Sequence, residues 1–540
     1  MTGAGLDRRT FLLGLLAGAG AVACGSDGGS SSSSATAAAG PRATVEPVDA
    51  PALPAGVTGP VFTLGVASGD PLADRVILWT RLAPTPLVGA GGMPDVDVDV
   101  AWEVGTDDTF SELVATGIAT ATTTLGHSLH VDATGLAPDT WYAYRFRVGD
   151  ETSSVGRTRT FPAADTSPER LRLAVTNCQD YQSGRYAAYR DLAAQDLDVV
   201  LFLGDYIYET PGIEDPARAV AERRYLGGVP TVLDDFRRRY AQHHLDPQLL
   251  AAHQALPWII TIDDHEVINN YAGDDGFAVG AGPDFVARRT AAYQAWYENL
   301  PLRIEPPVGG AVNVNRDSTF GDLARLFVIE TRQFADVPPC RDTSTFDAGP
   351  GCEDQQDPDR TALGVEQRKW LLDGMAENTA TWQVLVNPVL LGGLDISAPG
   401  ESPAYFLEIW DGYPAERRTI AESLAGLRNP VVLSGDYHAS FVLDVRADPW
   451  DESSPIVAPE LLATAISSAP FAEDYTAKNP HVQYFEPRNG YLVCEVTPDG
   501  IAADFRYVAD VADADSPVTS GATFVVRPGV DGAAPTAERS

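Results

Sequence analysis

Between residues 168 and 440 the chain keeps running through a short, almost unbroken apolar stretch and then stopping at residues able to bind metal. "LRLAVTNC" stops at Asn177 and Cys178, and "DLDVVLFLGDYIYE" at Asp205 and Tyr208. "ALPWIITIDDHE" stops at Asp263, Asp264 and His265, and "RNPVVLSGDYHASF" at Asp436 and His438. Runs of Val, Leu and Ile without polar alternation mark strands buried on both faces. Helix-like stretches such as "SGRYAAYRDLAAQ", "PDFVARRTAAYQAWYENL" and "GVEQRKWLLDGMAEN" separate them. This order predicts a layered α/β domain over residues 168–510, with helices covering the sheet faces. "LARLFVIETRQF" and "TWQVLVNPVLL" read as further strands, and "GYLVCEVTPDG" with "IAADFRYVAD" as a hairpin added to the sheet. Sites in such sheets form at the carboxyl ends of the strands, where these residues stand.

Residues 58–163 follow a different rule: short alternating runs broken by Gly, Pro and Asp turns. They predict a small all-β sandwich of the fibronectin or immunoglobulin sort. "TGLAPDTWYAYRFRV" resembles the tyrosine-bearing strand of such modules. His127 and His130 are expected on its surface or on a strand face. Residues 511–540 are taken as a C-terminal extension.

The N-terminus reads as an address. Arg8 and Arg9 precede an apolar run from Phe11 to Ala23, which is shorter than the ~20 residues a membrane span requires. Residues 1–24 therefore read as an export signal, and the paired arginines resemble the twin-arginine type, which hands the chain to an export machinery for folded proteins. Cys24 fits both lipid attachment and ordinary cleavage after Ala23, so the expected product is either secreted or anchored at the cell surface. The Gly/Ser/Ala-rich residues 25–57 are expected to be a flexible linker, and no transmembrane span is expected in the mature chain. A net charge of -37, with Lys only at Lys369 and Lys478, leaves no basic surface for nucleic acid. Cys340 and Cys352 bracket a polar loop and are expected to close a disulfide after export, while Cys494 reads as buried packing.

Each strand-end residue alone has an ordinary explanation: Asp caps turns, Tyr and Cys pack, and His can be a satisfied core residue. Together they form a chemically coherent set. Thiolate, phenolate and imidazole suit ferric iron, and clustered carboxylates suit a hard cation such as calcium.

"GDYIYE", "DDHEV" and "SGDYH", in that order, resemble the GD…GNH[DE]…GHxH pattern of the metallophosphoesterase superfamily. "TNCQDYQSGRYAAYR", "TIDDHEVINNY", "IETRQF" and "VVLSGDYHASF" are similar to the PhoD-like alkaline phosphatases, and "GVASGDPLADRVILWTRLAP" resembles the small β domain that precedes their catalytic domain. The resemblance covers roughly residues 58–510. It implies a four-layer metallophosphoesterase sandwich, mixed sheets flanked by helices, behind a small all-β domain. It also implies an exported phosphatase acting on phosphomonoesters or phosphodiesters, with Fe3+ and Ca2+ as cofactors.

Carried over by motif, iron falls to Cys178, Asp205, Tyr208 and His438. Calcium falls to Asp264 and Asp436, with Asp205 bridging. A metal-bound hydroxide would attack phosphorus, and His265 would protonate the departing oxygen. Arg332 reads either as a phosphate contact or as a strand-end ion pair, and Asn269 either as an amide contact or as a turn residue. Trp410, Asp411 and Tyr413 are placed in the pocket wall or in packing. Lipid and nucleotide diesters remain open as substrates, so a phospholipase D-like phosphodiesterase is the alternative enzyme. A non-catalytic cation-binding or adhesion protein is the alternative from another class.

Overall fold

The unbroken apolar runs become strands whose two faces are both covered. A computed structural model describes residues 45–213, 220, 223–340, 348–529 and 536–540; the export signal, Cys24 and most of the linker lie outside them. Ten strands form the larger sheet: β1 (Val66–Gly69), β2 (Arg75–Arg81), β3 (Ser128–Thr134), β4 (Leu171–Thr176), β5 (Val199–Phe202), β6 (Pro257–Ile260), β7 (Gly490–Thr497), β8 (Gly500–Val508), β9 (Val518–Arg527) and β10 (Thr536–Arg539). Their spatial order is β10-β9-β8-β7-β4-β5-β6-β1-β2-β3. The strands β4, β5, β6 and β1 run parallel in its centre, with antiparallel strands on both sides. A second, seven-stranded mixed sheet is built from residues 316–486, and it includes Ala324–Val328 and Pro430–Ser434.

The inner faces of the two sheets share one apolar core, in which Leu173, Val175 and Leu201 meet Leu326, Val384 and Val431. Helices cover the outer faces. On the larger sheet these include α1 (Leu233–His244) and α2 (Pro283–Asn299), which contribute Phe236, Tyr240 and Trp296 to a second cluster. The result is the expected stack of helix, sheet, sheet and helix.

Three boundaries differ from the sequence reading. Residues 58–163 do form a β-sandwich, with Leu78 and Val131 of one sheet packed against Val100 and Tyr144 of the other. One of its sheets, however, is the edge of the ten-stranded sheet, because β1 pairs in parallel with β6 (Ser68 with Pro257, Gly69 with Trp258). That pairing links residues far apart in the chain, so local alternation cannot announce it. Residues 511–540, expected as an extension, supply the outer strands β9 and β10. Part of the supposed linker is docked as well: Leu53 and Val57 pack on the sandwich core, and Arg147 donates to the Val48 carbonyl at 2.7 Å.

The seam between sandwich and catalytic body is made of aromatic and histidine side chains. Trp79 of β2 donates through Nε1 to the Glu298 carbonyl (3.0 Å), and its ring stacks on His244 at 5.0 Å. His130, expected on a surface or strand face, lies on Tyr297 at 4.2 Å with its Nε2 at 2.9 Å from the Tyr297 and Leu300 carbonyls. His244 directs Nε2 at the Asn299 carbonyl (2.9 Å), and burial pushes its pKa down from 6.5 to about 4.

The unfolded chain takes up this proton near pH 6.5, whereas the folded chain resists it until about pH 4. The stability carried by neutral His244 is therefore present above pH 6.5 and declines across that window, by about 3 kcal/mol in full. His244→Gln keeps a donor for Asn299 and removes the titration, so its melting temperature should fall less between pH 6.5 and pH 4 than that of the parent. Parallel melting profiles for the two proteins would show that the seam does not sense acid through His244.

Candidate metal centre

Five loops at the carboxyl ends of strands from both sheets meet in one place. Cys178 follows β4, Asp205 and Tyr208 follow β5, and Asp263, Asp264 and His265 follow β6. Glu330 and Arg332 follow Ala324–Val328, and Asp436 and His438 follow Pro430–Ser434. The backbone there is forced into unusual turns: Cys178, Asp205, Asp436 and His438 all have positive φ (52°, 61°, 70° and 54°). Such conformations cost non-glycine residues energy and persist where surrounding structure holds them. The preceding Gly204, at φ 116°, is needed for contact as well as for the turn, because a Cβ there would lie 2.5 Å from the Asp263 Cβ.

The side chains sort into three convergent groups, each with donor atoms within 4.8 Å of one another: Cys178, Asp205 and His438; Asp205, Asp264 and His265; and Asp205, Asp263 and Asp436. Asp205 belongs to all three. Cys178 Sγ lies 3.4 Å from Asp205 Oδ2, and Tyr208 Oη donates to the same oxygen at 3.0 Å and lies 3.3 Å from His438 Nε2. The adjacent Asp263 and Asp264 point to different groups, as their sequence proximity requires. Cys178, Asp205, Asp264, Asp436 and His438 all take part in these groups, Tyr208 stands against Asp205 and His438, and His265 belongs to the group with Asp205 and Asp264.

Two other expected contacts look different. Arg332 is buried and donates to Asp263 Oδ1 (2.6 Å) and Oδ2 (3.3 Å), with Asp264 Oδ2 at 3.7 Å, so it is a strand-end ion pair. Asn269 lines the cavity above the cluster, and its backbone N–H donates to Glu209 Oε1 (3.0 Å). Trp410 and Tyr413 are buried in the helix-side core, and Asp411 pairs with Arg417 at 2.5 Å, so all three are packing residues. Cys340 and Cys352 are joined in a disulfide.

Three supporting residues escaped the sequence reading. Glu266 is fully buried and accepts the backbone N–H groups of Asp205 (3.1 Å), Tyr206 (2.6 Å) and Asp263 (3.0 Å), which pins the ends of β5 and β6 together. Glu209 lies 2.6 Å from His265 Nδ1 and leaves Nε2 as the ring's free nitrogen. Ser468 donates to Tyr208 Oη at 2.7 Å or to the Cys178 carbonyl at 2.9 Å. Glu209 and Glu266 each end a motif, "GDYIYE" and "DDHE", and a carboxylate closing an apolar turn was the available signal. Ser468 lies in "AISSAPF", which carries no comparable mark.

The residues present fit a metal. Asp264 Oδ1 is buried without a hydrogen-bond partner. Burial, joined by the neighbouring aspartates, pushes the Asp205 and Asp436 carboxyls well above the usual range. Burial likewise raises the Cys178 thiol and the Tyr208 phenol. This is a set of anionic donors withdrawn from water and short of positive charge, which a bound cation supplies. Burial works against a charged His265, but Glu209, Asp205 and Asp264 outweigh it and hold the imidazole well above its usual pKa.

Known proteins share this sequence and fold. A family profile described as PhoD-like phosphatase matches residues 173–505, and one described as PhoD-like phosphatase, N-terminal domain, matches residues 49–162. Alkaline phosphatase D of Bacillus subtilis (strain 168) is 42% identical over 477 residues, covering 86% of this chain and 80% of that protein. A solved structure described as that of PhoD superposes with a TM-score of 0.82 at 40% identity, covering 88% of this chain and 92% of the other. The matches run through both the sandwich and the catalytic body, and the chain belongs to the PhoD-like phosphatase family, metal-dependent hydrolases of phosphoric esters.

Proposed function

We propose that this phosphatase works with a mixed metal pair: Fe3+ held by Cys178, Asp205, Tyr208 and His438, and Ca2+ held by Asp205, Asp264 and Asp436. The observation that carries this reading is the position of Asp205, common to all three donor groups. One group adds a thiol and an imidazole to it, with the Tyr208 hydroxyl 3.0 Å from Asp205, another adds Asp263 and Asp436, and the third adds Asp264 and His265; donor type selects the metal. Once bound, the pair would neutralise the ester's anionic oxygens and make water acidic enough to act near neutral pH.

The chain's own residues do the rest. Glu209 fixes Nδ1 of His265, so that Nε2 faces the cavity and holds the proton for the departing oxygen. Arg332 steadies Asp263 inside the cluster, and Asn269 offers its side-chain amide to the phosphate. The sandwich at 58–163 stiffens β6 through its pairing with β1. We also assign residues 1–24 to twin-arginine export, on Arg8 and Arg9 ahead of the apolar run. Among the described residues, no helix is long and apolar enough to cross a membrane.

The deciding experiment joins metal analysis with a visible spectrum on one purified sample. Iron and calcium together, with a broad charge-transfer band that disappears in Tyr208→Phe, support the assignment. Zinc or manganese in a colourless protein would refute it. His265→Ala should lower turnover by about 100- to 10,000-fold with metal content unchanged, as expected for loss of a proton donor; metal loss in that variant would make His265 a ligand instead. Replacing both Arg8 and Arg9 with lysine should leave the enzyme inside the producing cell, and unimpaired export would exclude the twin-arginine route.

A further inference from the structure

The cavity above the metal cluster, of about 100 Å3, has an apolar side made by Phe406, Ile409, Tyr437 and Phe471. Three of these are covered by the protein: Tyr437 and Ile409 are buried, and Phe406 is half-buried. Phe471 is different, with 47% of its surface exposed. One face of its ring lies on His438, centroids 5.0 Å apart and planes 8° from parallel, and its edge meets Tyr437 at 5.7 Å.

This exposure does not come from a loosely attached loop. His438 Nδ1 lies 2.9 Å from the Ala469 carbonyl, two residues before Phe471. The backbone N–H groups of Ser467 and Ser468 donate to the Cys178 carbonyl at 3.3 and 3.2 Å, and Asn489 Nδ2 donates to the Ser468 carbonyl at 2.7 Å. Pro470 fixes its own φ immediately before the ring. The chain therefore holds a large apolar ring rigidly at the cavity and leaves much of it in water. An aromatic fixed in this way gains nothing from folding for its exposed part, but it offers a preorganised stacking surface to a ligand.

We infer that Phe471 is the specificity residue for the organic arm of the ester, and that the site favours a planar apolar arm, aryl or base-bearing, over a short polyol or alkyl arm. The phosphate sits on the metal cluster while the arm lies against the free surface of Phe471, with Tyr437 and Ile409 beside it. This rests on reading the same cavity as the ester-binding site.

Phenylphosphonate and methylphosphonate test it, because they place the same anionic head on the metals and differ in the arm. Neither is hydrolysed, so no leaving-group effect enters. Against 4-nitrophenyl phosphate hydrolysis by the metal-loaded enzyme, phenylphosphonate should inhibit about tenfold more strongly than methylphosphonate, the scale of one good aromatic contact. Phe471→Ala should bring the two inhibition constants together by weakening phenylphosphonate alone, and Phe471→Trp should restore the gap. Equal inhibition of the parent enzyme by both compounds overturns the proposal. So does an equal loss of both in Phe471→Ala, which would make the ring a support for His438 alone. Active enzyme that neither phosphonate inhibits would instead refute the placement of the ester in this cavity.

Discussion

The rest of the molecule is arranged around a concentration of carboxylates that is largely withdrawn from water and opens into one cavity. Asp205, Asp263 and Asp264 are buried and Asp436 is half-buried, all within a few ångströms of one another, with the Cys178 thiol and the Tyr208 phenol against them. Arg332 and His265 bring positive charge from the protein itself, and Arg332 is paired mainly with Asp263. Isolated carboxylates in such surroundings would simply take up protons, as the raised pKa values of Asp205 and Asp436 indicate. The cluster makes physical sense as a receptacle for cations, and two sheets are needed because no single strand end can present enough donors from different directions.

Holding that receptacle open requires rigidity. Four donor residues sit in left-handed backbone conformations, and the loops that carry them are bonded to one another as well as to their own strands. Cys178 donates its N–H to the Gly204 carbonyl at 3.1 Å, and Gln179 to the Asp205 carbonyl at 3.1 Å. Glu266 ties β5 to β6, and the loop through Ser468 links the Cys178 backbone, the Tyr208 hydroxyl and the His438 ring. Behind these loops the central parallel strands are fixed on both sides, by β7 at one flank and by β1 of the sandwich at the other. The sandwich therefore supports the site-bearing strands of the sheet directly, since it shares backbone hydrogen bonds with β6.

The layered fold and the polar residues that gather at the strand ends were legible because both are written locally. An apolar run too continuous for an exposed strand, ending in Asp, Cys, Tyr or His, says both that the strand is buried and where the chemistry stands. The shared sheet was not legible: β1, β2 and β3 alternate like any sandwich strand, and nothing in "GVASGDP" marks a partner at Pro257–Ile260. The strands of 511–540 were missed because "SPVTSGATFVVRP" is polar at its start and pairs only with β8 and β10. Arg332 shows the limit for side chains. An arginine at a strand end next to an active site has the same sequence signature whether it meets a phosphate or an aspartate. The choice depends on Asp263, which lies 69 residues away in the chain.

The net charge of -37 sets the terms on which such a site captures its substrate. A phosphate ester approaches against the field of the whole protein, so long-range steering opposes the encounter. The field acts in the opposite sense on cations, drawing them toward the clustered carboxylates. Attraction for the anion then has to arise at close range, inside the cavity, from the bound metals. An uncharged surface such as Phe471 feels none of the repulsion, so contact with the organic arm adds binding that the protein's charge does not weaken. In a strongly acidic phosphatase, an exposed aromatic ring at the metal centre therefore complements the metals, because it is the one kind of contact the surrounding charge leaves untouched.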